Sequence, residues 1–273
     1  IIDRAREAGH AKVYPIGALS KGLAGEQLAE LVALRDAGCV AFGNGLSNFP
    51  SNRVLCRALE YAATFNLTVV FHSQDADLAA GGLAHEGPMA SFLGLAGIPE
   101  TAETVALSRH LLLVEQTGVR AHFSQLSSAR AAEMIAAAQN RGLPVTADVA
   151  LYQLLLTDEA LRDFSSLYHV QPPLRTRKDR DGLRQAVKDG VIQAISSHHQ
   201  PHEPDAKLAP FAATERLLIQ RVFDSKDKRV SVTAFWIVVT SLPSLESRSL
   251  LLLSTPTVPH AVSTAAVMPG TQA

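Results

Sequence analysis

The feature that most constrains the fold is a rhythm: a short apolar run, a few turn residues, a helical stretch, then a glycine before the next apolar run. KVYPIGAL precedes GEQLAELVALRDAG, and CVAFGNG precedes NRVLCRALEYAATFN; TVVFHSQD, VRAHFSQLSS, PVTADVALY and VIQAISSHHQPH continue the series. Gly38, Gly118, Gly142 and Gly190 stand where helices should stop, because glycine accepts the left-handed conformation that ends a helix. Apolar strands alternating with amphipathic helices imply a parallel sheet covered by helices. Six such units in a row fit a (β/α)8 TIM barrel better than a doubly wound sheet. The expectation is therefore an α/β barrel domain over residues 1–215. From residue 216 to 273 the rhythm is lost, and short aliphatic clusters lie among serine, threonine and proline. That stretch is expected to be a divergent or loosely structured tail.

Charge narrows the partners. Among 273 residues, 25 Lys and Arg stand against 26 Asp and Glu, a formal charge of −1. No long-range field draws in nucleic acid or an anionic membrane. Cys39 and Cys56 are too few for a disulfide framework and suit a reducing cytosol, so a cytoplasmic location is expected. The longest apolar run, VTAFWIVV, is too short to cross a bilayer.

In a parallel barrel, chemistry gathers where strands end. Those ends carry His72, His122 and the cluster His198, His199 and His202. Neutral imidazole is a zinc ligand, but alternate residues of a strand face opposite ways, so His198 and His199 cannot both point inward if extended. GALSKGLAG lacks P-loop spacing and reads as a turn. Asp75 and Asp77 read as braces of a loop. HVQPPLRTRKDR reads as a solvated loop and helix start, with an anion clamp through arginine as the sharper alternative.

The run VYPIGALSKGLAGEQLAEL, the phrase HSQDADLAAGGLAHEG, LGLAGIPETAE, HVQPPLRTRKDRDGLRQAVKDG and ISSHHQPHEPDAK together resemble the dihydroorotase family of the amidohydrolase superfamily. The resemblance covers residues 1–215, with the motifs in order. It implies a (β/α)8 barrel with one or two zinc ions at the strand ends, closing carbamoyl aspartate to dihydroorotate. It also places the family's first strand, with its H-x-H pair, and its second strand before Ile1. An incomplete barrel is thus expected, with strands 3 to 8 present.

Against that pattern the site positions have changed. FGNGLSN lacks the carboxylate that ends the family's fourth strand, and HSQD keeps His72 and Asp75 but has Gln74 where Glu is usual. HFSQLS keeps His122 and puts Gln125 in place of a metal-binding histidine, and ALYQL replaces T-P-H-H-L. Gln171 replaces the substrate-contacting Asn, while Arg175 persists. In SSHHQPH, His198 stands where the family has the Asp that binds metal and acts as general base. Two zinc ions bring four positive charges that carboxylates normally offset. A pocket without acidic side chains holds neither the ions nor a general base.

The resemblance therefore implies a non-catalytic homologue of the kind that assembles with the catalytic chain of aspartate carbamoyltransferase, with no cofactor. His72, Gln125 and His198 are vestigial metal positions, and Gln171, Arg175 and His202 vestigial substrate positions. Two alternatives stand beside it. One is a zinc-dependent dihydroorotase with rearranged ligands drawn from His72, His122, His198, His199 and His202. The other is a small-anion binder using Arg175.

Overall fold

The computed structural model describes residues 1–10, 12–198, 207–214 and 267–268. The expected boundary at 215, His199 and His202 lie outside the described residues, as does the tail apart from Val267 and Met268. The first half contains α1 (Ile2–Ala8), β1 (Ile16–Ala18), α2 (Leu31–Asp36), β2 (Ala41–Gly43), α3 (Asn52–Thr64) and β3 (Thr68–His72). Next come β4 (Ala84–His85), α4 (Pro88–Leu93), β5 (Gly97–Ile98), α5 (Thr101–Thr117), β6 (Arg120–Ser124) and α6 (Ala129–Asn140). The remainder is β7 (Val145–Ala150), α7 (Leu151–Leu155), α8 (Arg177–Lys188), β8 (Ala194–Ser196) and β9 (Val267–Met268).

The sheet runs β8-β7-β6-β3-β2-β1-β9, and every pairing in it is parallel. Among the described residues no pairing joins β8 to β9, so the sheet is an open arc of barrel type. Strand β4 pairs with β5 in a separate small ribbon.

The alternation of side chains decides what each face carries. On β3, β6 and β7, the residues Val69, Phe71, Ala121, Phe123, Ala147 and Val149 pack under the helices. They meet Leu55 and Leu59 of α3, Leu107 and Val114 of α5, Ile135 of α6 and Leu183 of α8. Their neighbours one residue along, including His72, His122, Thr146 and Asp148, face the other way. The four helix-ending glycines all have positive φ, as expected.

One expected helix is shorter than its pattern. Periodicity predicts a helix over 25–38, but α2 covers only Leu31–Asp36. A Lys21 N–H bond to the Gln27 carbonyl and a bridge between Ser20 and Leu28 commit the preceding backbone to a loop. Between β4 and β6 the chain forms two helices, α4 and α5, separated by β5.

Candidate functional site

The strand ends of β3, β6, β7 and β8 bring His72, Gln125, Asp148 and His198 into one neighbourhood. Register explains it: His72 is level with Ser124, and Asp148 is level with Ala194 on the far side. His72, Gln125 and His198, the positions read from sequence as vestigial metal positions, lie close together. Gln125 Nε2 donates to His198 Nδ1 at 3.1 Å.

The expectation of a pocket stripped of acidic side chains is corrected by Asp148, which is 6% exposed. Both of its carboxylate oxygens accept hydrogen bonds. Oδ2 accepts from His122 Nε2 at 2.9 Å, and Oδ1 accepts from the Gln125 backbone N–H at 3.0 Å and from Ser196 Oγ at 3.3 Å. Burial alone raises this carboxyl, but the His122 bond and charge and the other donors outweigh it and hold it below the usual range. His122 Nδ1 in turn meets Thr146 Oγ1 at 2.8 Å. His122 is therefore oriented from both ring nitrogens, like a structural histidine.

His72 differs. Neither ring nitrogen makes a hydrogen bond of normal geometry, although the Gln74 side chain approaches. Burial first, then the neighbouring His198, lowers its pKa to about 4, so at neutral pH it is an uncharged imidazole. Burial also lowers His198.

The implied zinc pair can be tested against these donors. His72 is in the right protonation state for a ligand. Gln125 offers an amide, which is a poor donor to zinc. His198 Nδ1 is occupied by that amide, and Asp148 by three donors. Among the described residues no three His, Cys, Asp or Glu side chains are grouped to hold a metal. Two divalent cations do not fit this set.

Gln171 and Arg175, two of the three positions read from sequence as vestigial substrate positions, are among the described residues. Gln171 Nε2 donates to Gln74 Oε1 at 3.1 Å, so the two amides pair with each other. Arg175, the residue of the anion-clamp alternative, is 3% exposed, and each of its three guanidinium nitrogens has a polar partner in the fold. Nε donates to Ser127 Oγ at 2.7 Å, Nη1 donates to His85 Nδ1 at 3.1 Å, and Nη2 lies 3.7 Å from Glu103 Oε2. Glu103 itself accepts from the Ser127 N–H at 2.7 Å and from Ser127 Oγ at 2.9 Å. Burial pushes its carboxyl above the usual range despite Arg175 and the serines. The adjoining concavity, lined in part by Ser73, Gln74, Ser127 and Arg175, has a cavity volume of about 10 Å³, room for roughly one water molecule.

Other local expectations are met. Asp75 Oδ1 accepts from the backbone of Asp77 and Leu78 and braces that loop. Thr176 and Asp179 form a capping box that starts α8. Sequence reasoning missed Glu103, Ser127 and Gln153, whose Nε2 donates to the carbonyls of Pro172 and Pro173. Glu103 carried a signal: it lies on the apolar face of α5 with Ala106, Leu107 and His110, where a charge demands a partner.

A family model described as dihydro-orotase-like matches residues 1–131. Proteins described as dihydroorotase-like, from Pseudomonas putida and Pseudomonas aeruginosa, are 82% and 80% identical over 215 residues, covering 79% of this chain and 51% of each relative. A protein described as dihydroorotase, from Syntrophobacter fumaroxidans, is 43% identical over 211 residues, covering 77% of this chain and 48% of that one. The chain thus spans about half the length of the curated relatives it matches. Two solved structures share the fold. An L-hydantoinase from Arthrobacter aurescens has a TM-score of 0.60 at 24% identity, covering 75% of this chain and 48% of its own. A Saccharomyces cerevisiae dihydroorotase in complex with 5-fluoroorotic acid has a TM-score of 0.55 at 15% identity, covering 80% and 63%. By its fold, its motifs and these relatives, the chain belongs to the dihydroorotase family of the amidohydrolase superfamily.

Proposed function

We propose that this chain is part of a non-catalytic dihydroorotase homologue. In this reading it serves as a structural subunit for the catalytic chain of aspartate carbamoyltransferase in the cytoplasm. The observation that carries the non-catalytic reading is the state of Asp148. Its buried carboxylate accepts hydrogen bonds from His122, Gln125 and Ser196. A general base must be free to take a proton from substrate. A carboxylate held below its ordinary pKa by His122 and by the Ser124 and Gln125 donors is poorly suited to that role. The paired amides of Gln74 and Gln171 support the same reading, since neither offers charge to a metal or a proton. The gap between 82% identity to a relative described only as dihydroorotase-like and 43% to one described as dihydroorotase points the same way.

The partner reading rests on the resemblance to the non-catalytic subgroup. It is supported by a helix-covered parallel sheet with a packed core, at whose strand ends side chains hydrogen-bond one another. No helix among the described residues is long and apolar enough to cross a membrane. The test is co-expression of the full-length protein with the aspartate carbamoyltransferase catalytic chain. Co-purification in a defined ratio, carbamoyltransferase activity that needs the homologue, and no dihydroorotase turnover are expected. Turnover lost on chelation and regained with zinc would refute the non-catalytic half. Separate elution of the two proteins would refute the partner half.

A further inference from the structure

At the strand ends, Gln125 and His198, two positions that the resemblance marks as metal positions, contact each other. Gln125 follows β6 and His198 follows β8, and the sheet places β7 between them. In a flat sheet those strands would lie about 10 Å apart. Their side chains nevertheless meet at 3.1 Å. Such meetings across an intervening strand occur inside a curved parallel sheet, where each interior layer is filled from alternate strands. Both residues also have positive φ, 62° for Gln125 and 46° for His198. Side chains other than glycine rarely adopt that conformation, and they hold it only where surrounding contacts impose it.

The strand in the middle is tied to both. Asp148 Oδ1 accepts from the Gln125 backbone and from Ser196 Oγ, two residues before His198. Gln125, Asp148, Ser196 and His198 therefore form one closed set across β6, β7 and β8. Asp148 and Ser196 are each 6% exposed, so water competes little for these bonds.

We propose that this set is a metal-free clasp. The Gln125–His198 bond, closed through Asp148, holds the ends of β6, β7 and β8 together in the place where the family's metal centre would cross-link them. The inference rests on the non-catalytic reading above but not on the identity of the partner. It requires the stability of the β6–β8 end to be independent of divalent metal and dependent on this side-chain pair.

The test is denaturant unfolding of the full chain as wild type, Gln125→Ala, His198→Ala and the double variant, each with EDTA, with added zinc and with neither. Each single change should lower the folding equilibrium constant by about five- to tenfold. The double change should be no worse than about one single change, since both remove the same bond. EDTA and zinc should leave the wild-type midpoint unmoved. For a variant that does not fold, nitrogen-15 spectroscopy of the wild type supplies the second reading. His198 should be a neutral ring with its proton fixed on Nε2, since Nδ1 accepts, and zinc should not shift its resonances. Additive single losses with no EDTA effect would remove the clasp while leaving the non-catalytic function standing. A midpoint lowered by EDTA, or zinc-shifted His198 resonances, would overturn both.

Discussion

Replacing Glu103 with glutamine removes one charge, changes almost no volume and strikes the buried network that ties α5, the β6–α6 loop, β4 and the Pro-Pro loop together. Glu103 Oε1 accepts the Ser127 N–H at 2.7 Å, and Oε2 accepts Ser127 Oγ at 2.9 Å. A glutamine amide keeps one acceptor and turns the other into a donor. In one orientation it opposes the Ser127 N–H. In the other it opposes the Ser127 hydroxyl, whose oxygen already receives Arg175 Nε at 2.7 Å. Arg175, with a side chain 2% exposed, also loses the counter-charge 3.7 Å away. Removing one member of a buried pair costs about 3–5 kcal/mol because the other charge is stranded. Total stabilities are only about 5–15 kcal/mol. With a urea slope near 2 kcal/mol/M, the unfolding midpoint should fall by about 2 M. Arg177→Ala is the control: its partner Glu159 is 3.1 Å away, but their side chains are 66% and 57% exposed. Exposed pairs contribute about 0–1 kcal/mol. Adding Arg175→Met to Glu103→Gln should recover part of the loss by removing the stranded charge. A Glu103→Gln midpoint no lower than that of Arg177→Ala would show the reasoning to be wrong.

Gly182→Ala in α8 should destabilise the fold, although alanine is the better helix former by about 1 kcal/mol. An added Cβ would lie 2.5 Å from Ala129 Cβ and 3.2 Å from its Cα, at the start of α6. Overpacking costs about 1–3 kcal/mol, and a raised melting temperature for the variant would contradict the packing argument. Stability should also begin to fall on the acid side well above the carboxylate range. Burial first, then Arg109 and His72, lowers the His110 pKa to about 3, whereas the unfolded value is about 6.5. The unfolded chain therefore binds the proton first. Stability from this group is complete above about pH 6.5 and is lost as pH falls toward the folded value. Urea midpoints at pH 7, 6 and 5 should decline in order, and His110→Phe, which keeps a ring stacked on Phe71, should flatten the decline. Equal wild-type midpoints across that range would count against it.

The layered fold was legible because it depends on local rules. Apolar runs, helical periodicity and helix-ending glycines are one-dimensional signals, and all four of those glycines have the backbone conformation their position implied. That His72, His122 and His198 would lie at one end of the sheet was legible too, because strand ends of a parallel sheet share one mouth. Who bonds to whom was not. ADVA carries Asp148 in plain view, but alternation gives only the face on which a side chain lies, not its distance from residues 26 or 48 positions away. Only the tertiary structure set His122, Gln125 and Ser196 around that carboxylate, and so showed a pocket whose acid is occupied rather than missing. The same holds for Arg175. Its loop looked solvated, and its charge looked available to a ligand. Packing of α5 against the strand ends buried it beside Glu103, where leaving either charge unmatched would cost more than any surface pair returns. Sequence determined the family and the layers through short-range patterns, while hydrogen-bond partnership, which depends on ångström-scale distances between remote segments, was decided by the fold.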